Sequence, residues 1–232
     1  MSPLLQSLLA RPDVWQASRA RSSDPDPAAA TVLPSGHAAL DRALHRGGWP
    51  RAALTELLGT AWGVGELQLL APVLARCSSG ARRLFFLGAP HLPYAPALHA
   101  YGIRLEAVLL VQPERGHDAL WCAEQILRSG AAACLLAWLP EARLADYATL
   151  RRLQLAAQAG DVAGFLFRPL QAARASSPAA LRLALRATDD QLAIEVLKQR
   201  GGRSGQRITI ARDAALLRRR VDPALLPVPT LQ

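Results

Sequence analysis

A chain of 232 residues with 51% apolar and 19% charged side chains has the make-up of one soluble globular domain with tails, and excludes a collagen-like or wholly disordered polypeptide. Lys and Arg outnumber Asp and Glu by 27 to 18, a formal +9 that favours an acidic partner such as nucleic acid, although Lys198 is the sole lysine and arginine-rich chains also follow from GC-rich coding. Cys77, Cys122 and Cys134 are widely spaced on apolar stretches, fitting neither a disulfide framework nor a zinc site; with no positively charged leader and no run of about eighteen apolar residues, the chain is expected in the reducing cytoplasm, away from membranes.

Leu4, Leu5, Leu8, Leu9 and Trp15 give residues 3–19 an apolar cluster spaced for a short amphipathic helix, interrupted near Pro12, that needs a surface to dock on. They are the candidate partner-binding residues. Residues 20–30, ARSSDPDPAAA, have no apolar periodicity and read as a linker, which sets residues 1–31 apart from a domain spanning 32–212. Within that domain short apolar runs alternate with helical patterns, which predicts an α/β fold with a mostly parallel twisted sheet flanked by helices. Strands are expected at 55–58 (TELL), 82–88, 108–112, 133–139 and 162–167. The fourth, ACLLAWL, is apolar throughout, as in a strand covered on both faces. Helices are expected at 66–77, across HDALWCAEQILRSG with Leu120, Ala123, Ile126 and Leu127 on one face, and at 141–159 with Leu144, Tyr147, Leu150, Leu153 and Leu155 at roughly helical spacing. Past Pro169, residues 181–188 and 192–199 alternate apolar with polar positions around the turn DDQ, which predicts a C-terminal antiparallel hairpin with one wet face. RGGRSGQ reads as a flexible basic turn, RITIAR as a final edge strand, and residues 213–232 as a basic, proline-containing tail.

The stretch LLGTAWGVGELQLL, from Leu57 to Leu70, places Gly59, Gly63 and Gly65 between a strand and a helix, where nucleotide-binding folds cradle phosphate. A working loop of this kind also needs a Lys against the β and γ phosphates and a Ser or Thr on magnesium. Glu66 and Leu67 occupy those two positions. A carboxylate repels phosphate, and a leucine offers the metal no oxygen. Trp62, in the middle of the loop, either fills space that a nucleotide would need or merely covers the turn.

The segments VLPSGHAALDRALHRGGWPRAALTELLG, FFLGAPHLPYAPALHAYGI and LLVQPERGHDALWCAEQILRSGAAACLLAW resemble the RecA recombinase core block by block. With its GVGEL turn, the chain more closely resembles the ImuA family, RecA-like and SulA-related accessory proteins of damage-induced mutagenesis. The resemblance spans about residues 32–200 and implies a RecA-like core. It aligns the recombinase's water-activating Glu with Pro90, its magnesium-organising Asp with Trp138 and its base-stacking Tyr with Ala97, with Tyr94 and Tyr101 nearby. A proline cannot act as a base. With Lys, hydroxyl, base and metal-side Asp all replaced, the resemblance implies no ATP hydrolysis, no catalytic residue and no resident cofactor or metal. It further implies a non-catalytic adaptor of translesion DNA synthesis within the SOS response to DNA damage. The partners so implied are the Y-family-like protein ImuB, an error-prone polymerase alpha-type subunit and the RecA recombinase, with single-stranded DNA as a further contact. The SulA relationship leaves open a second role, inhibition of the tubulin-like division protein.

Lys198, Arg200, Arg203 and Arg207 around the basic turn, and Arg218, Arg219 and Arg220 in the tail, are the candidate contacts for nucleic acid or an acidic partner. The alternative is a solvated hairpin connection and a soluble tail. No aromatic is interleaved with the turn, which weakens a base-stacking role. His91, His99 and His117 lack the spacing of metal ligands.

Overall fold

A computed structural model describes residues 32–61, 65–114, 116–139, 145–188 and 190–212. Leu4, Leu5, Leu8, Leu9, Trp15, Trp62, Gly63, Leu144, Arg218, Arg219 and Arg220 lie outside the described residues, as does the side chain of His117.

A short antiparallel pair, β1 (Val32–Leu33) with β2 (Trp49–Pro50), brackets helix α1 (Ala38–Ala43). β3 (Ala53–Gly59) follows and is buried at every position. It leads into α2 (Glu66–Ser78), β4 (Arg83–Leu87), α3 (Ala95–Ala100), β5 (Val108–Val111), α4 (Gly116–Arg128), β6 (Ala132–Trp138), α5 (Tyr147–Gly160), β7 (Ala163–Pro169), β8 (Leu181–Ala187), β9 (Gln191–Gln199) and β10 (Arg207–Ala211). The main sheet has eight strands in the order β10-β9-β8-β3-β7-β6-β4-β5. It is parallel from β8 to β5 and antiparallel from β8 to β10.

The period of two along each strand sorts side chains onto two covered faces. One face carries Leu57, Phe86, Leu136, Phe165 and Phe167 against Leu40 of α1 and Leu69, Leu70, Val73 and Leu74 of α2. The other carries Leu54, Leu135 and Leu166 against Ala123 and Leu127 of α4 and Leu150, Leu153 and Ala157 of α5. α4 and α5 approach so closely that a Cβ on Gly160 would lie 1.9 Å from the carbonyl oxygen of Leu127. Among the described residues no helix is long and apolar enough to cross a membrane.

Two elements differ from the sequence expectation. The helix expected over 141–159 is observed as Tyr147–Gly160, begun by Asp146, whose carboxylate accepts the Thr149 amide at 2.8 Å. Leu150 and Leu153 are buried while Leu155 is 50% exposed, because two residues beyond Leu153 is about 200° round the helix. β8 is the second difference. It lies between β3 and β9, and its first five residues are buried, Arg182 included, so it has no wet face there. A polar residue at an alternating position looks solvent-facing in sequence; here it faces a carboxylate on the next strand.

Candidate functional site: the β3–α2 turn and its surroundings

β3 delivers Gly59 to the turn, and the chain starts α2 from Gly65, whose φ of 109° lies in the left-handed region that favours glycine. Glu66 is the first residue of α2, at the positive end of the helix dipole, and is only 3% exposed. Leu67 packs against the core beneath α2. The end of β10 lies over the turn: Gln68 Nε2 donates to Ala211 O at 3.4 Å, and a Cβ on Gly65 would be 3.3 Å from Arg212 Nε. Arg212 is held in place by the β8–β9 connection, its amide donating to Asp190 O at 2.8 Å and its Nη1 to Thr188 O.

Trp138 closes the C-terminal end of β6. Its ring stacks on Phe167 with centroids 4.4 Å apart and planes inclined by 16°, and Phe86 lies tilted at 6.0 Å. The position aligned with a metal-side Asp is therefore part of a close-packed aromatic cluster. Pro90, aligned with the catalytic Glu, is exposed beyond β4. Ala97 lies on α3, flanked by Tyr94 before the helix and by Tyr101, which packs against the core, after it.

Midway along β3, on the face covered by α5, lies a buried charge cluster that no local pattern signals. Glu56 is fully buried; Arg168 Nη1 donates to its Oε1 and Arg182 Nε to its Oε2, each at 2.5 Å. Three further guanidinium nitrogens donate to backbone carbonyls: Arg168 Nη2 to Ala145 O at 2.9 Å, Arg182 Nη1 to Ala175 O at 3.0 Å and Nη2 to Ala172 O at 2.8 Å. Arg182 pairs across the ladder with Glu56 on one side and with Lys198 on the other. Lys198 Nζ donates to Ser177 O at 2.6 Å, and its pKa is held below the usual lysine value by burial first and then by Arg182 and Arg200, with Glu56 opposing. One carboxylate shared by two guanidiniums thus fixes β7 and β8 on either side of β3.

The basic turn lies at the opposite end of the sheet from the β3–α2 turn, since β8 runs parallel to β3 and β9 returns antiparallel. It is anchored rather than loose. Gln199 Oε1 accepts the His45 amide at 2.8 Å, and its Nε2 donates to Ala43 O at 3.3 Å and to Arg203 O at 2.5 Å. Of the four candidate cations here, Arg200 and Arg203 face solvent, Arg207 lies 3.6 Å from Glu195, and Lys198 turns inward. Among the described residues no group of three or more His, Cys, Asp or Glu side chains converges as a metal site.

The family model for the RecA N-terminal domain matches residues 19–144. Protein RecA 1 of Myxococcus xanthus is 34% identical over 100 residues, covering 43% of this chain and 29% of that protein. Protein RecA of Acholeplasma laidlawii is 32% identical over 119 residues, covering 49% and 36% respectively. The crystal structure of SulA from Pseudomonas aeruginosa is similar at a TM-score of 0.41 and 28% sequence identity, covering 50% of this chain and 97% of that one. The chain spans about a third of the length of the curated relatives it matches.

Proposed function

The chain belongs to the RecA N-terminal domain family, and on that premise we propose that it is a non-catalytic accessory protein of damage-induced translesion DNA synthesis, an adaptor of the ImuA type. The observation that carries the non-catalytic reading is the joint occupation of the ancestral reaction site. Glu66 is buried at the start of α2, Leu67 packs into the core, and Trp138 stacks on Phe167. Phosphoryl transfer needs a cation on the phosphates, metal ligands and a base at one place, and the positions aligned with the recombinase Lys, hydroxyl, metal-side Asp and base hold Glu66, Leu67, Trp138 and Pro90. The adaptor reading rests on the GVGEL turn and the three sequence blocks that resemble ImuA. Its partners are ImuB, the alpha-type polymerase subunit and the recombinase. Arg200 and Arg203 are the exposed cations through which single-stranded DNA would be held at the basic turn.

Co-purification of the full chain with ImuB and with the recombinase, with and without single-stranded DNA, tests the adaptor role, and ATP hydrolysis measured alongside tests the non-catalytic one. Retention of ImuB or the recombinase, with ATP turnover no higher than a heat-killed control, is expected. Hydrolysis stimulated by single-stranded DNA refutes the non-catalytic reading. Failure to retain any of these partners refutes the adaptor, and a block of division-protein polymerisation would place the chain with the SulA-type inhibitors.

A further inference from the structure

The end of α1 and its connection to β2 carry cations that the proposed function does not use. Residues 42–48, RALHRGG, and 199–207, QRGGRSGQR, contain five arginines and no Asp or Glu. They are about 150 positions apart in the chain, yet the two segments touch. Gly201, at φ 77°, and Gly202 lie against His45: a Cβ on Gly202 would be 2.7 Å from His45 Cβ, and one on Gly201 would be 3.2 Å from His45 Nε2. Backbone can come this close only where there is no side chain to displace.

The Gln199 carboxamide ties the segments at three points, the His45 amide, the Ala43 carbonyl and the Arg203 carbonyl. Arg42 precedes the bonded Ala43, Arg46 follows the bonded His45, Arg200 follows Gln199 itself, and Arg203 is bonded through its own carbonyl. All four arginines are exposed, and each is at most one residue from an atom that Gln199 holds. The Arg200 amide is fixed in addition by donating to Ala180 O at 2.8 Å. The flanking carboxylates face other groups: Asp41 accepts the Ser35 amide at 2.9 Å, and Glu195 lies 3.6 Å from Arg207. Cations set on a pre-ordered backbone lose less freedom on binding, and several of them along two segments suit a run of phosphates better than a single small anion. Neither segment contains Phe, Tyr or Trp, so a base finds no large ring there to stack on.

We propose that the end of α1, its connection to β2 and the basic turn form one surface that tracks the phosphates of a DNA strand without reading its bases. Arg42 and Arg46 join Arg200 and Arg203 as the contacts, and Gln199 is the positioning residue that sets their spacing. The inference rests on the reading of the basic turn as a contact for single-stranded DNA. Phosphate contacts fix register and carry no sequence information, so affinity at this surface depends on salt and on strand length, not on base identity.

The test titrates the full chain into labelled oligo-dT, and into an abasic oligonucleotide of the same length, over a series of salt concentrations. Arg42→Ala and Arg46→Ala should each lower the slope of log K against log salt by about 0.7, and Arg46→Lys should restore it. Gln199→Ala removes no charge, yet it should also lower the slope, and it should have no further effect on the slope in an Arg42→Ala, Arg46→Ala background. The abasic strand should bind within about fivefold of oligo-dT, since a larger difference is what even one stacked base would produce. An unchanged slope for Arg42→Ala and Arg46→Ala, with a lowered slope for Arg200→Ala and Arg203→Ala, would overturn the joined surface and leave the basic-turn contact standing. An unchanged slope in all four variants would remove both. A preference for oligo-dT beyond about fivefold would overturn the base-blind reading.

Discussion

Glu56→Gln removes the carboxylate of the buried cluster while preserving its shape. Arg168 and Arg182 are 2% and 6% exposed, and each donates to Glu56 at 2.5 Å. With charge centres about 4 Å apart and an effective dielectric of about 20, each attraction is worth about 4 kcal/mol. Much of that only offsets the desolvation of three ions. In the variant the attraction is lost and the two guanidiniums stay buried, and loss of one partner from a buried pair typically costs about 3–5 kcal/mol. The carbonyls of Ala145, Ala172 and Ala175 still accept from the arginines, and the glutamine oxygen accepts one bond, so a loss near about 3 kcal/mol is expected. Against a whole-domain stability of about 5–15 kcal/mol this is a large fraction. In urea, with m of about 2 kcal/mol/M, the midpoint should fall by about 1.5 M at unchanged m. The same substitution in an Arg182→Met background should cost at least about 1 kcal/mol less, because only one guanidinium is then stranded. A loss under about 1 kcal/mol in the parent, with no coupling to Arg182, would show that the arginines reach water or another counter-charge and that the cluster is no dry clamp.

Trp138→Ala should leave a cavity beside Phe167 and Phe86 and lower stability by about 3–5 kcal/mol in the same titration; a loss under about 1 kcal/mol would mean the aromatic cluster is not close-packed. Asp161 is held below the usual carboxylate pKa by its hydrogen bond from Arg51 first and then by the charges of Arg51 and Arg82, against opposing burial. Its contribution is therefore fully present above the unfolded pKa of about 3.9 and fades as pH falls through the depressed folded value. Melting temperature measured from about pH 6 downward should fall more steeply for the parent than for Asp161→Asn, and parallel curves would refute the assignment. If single-stranded DNA binds at the basic turn, Arg200→Ala and Arg203→Ala should each lower the slope of log K against log salt by about 0.7, whereas an unchanged slope removes the turn from the interface.

The order of strands and helices is legible in the sequence because hydrophobic period is local: TELL, RRLFFLG and ACLLAWL declare buried strands wherever they end up. The chemistry of the β3–α2 turn is equally local, since the identities of Glu66 and Leu67, in place of a Lys and a hydroxyl, are read directly from the chain. What alternation cannot supply is the neighbour. It assigns Glu56, Arg168 and Arg182 to a face of the sheet, but the residues are separated by 112 and 126 positions from Glu56, and only the placement of β7 and β8 on either side of β3 turns three apparently solvent-facing charges into one buried cluster. Lys198 turns inward for the same reason, having a desolvated carbonyl beside it. Side-chain chemistry and period belong to the chain segment. The partner that satisfies a buried charge belongs to the sheet order, which arises only when distant segments close on one another.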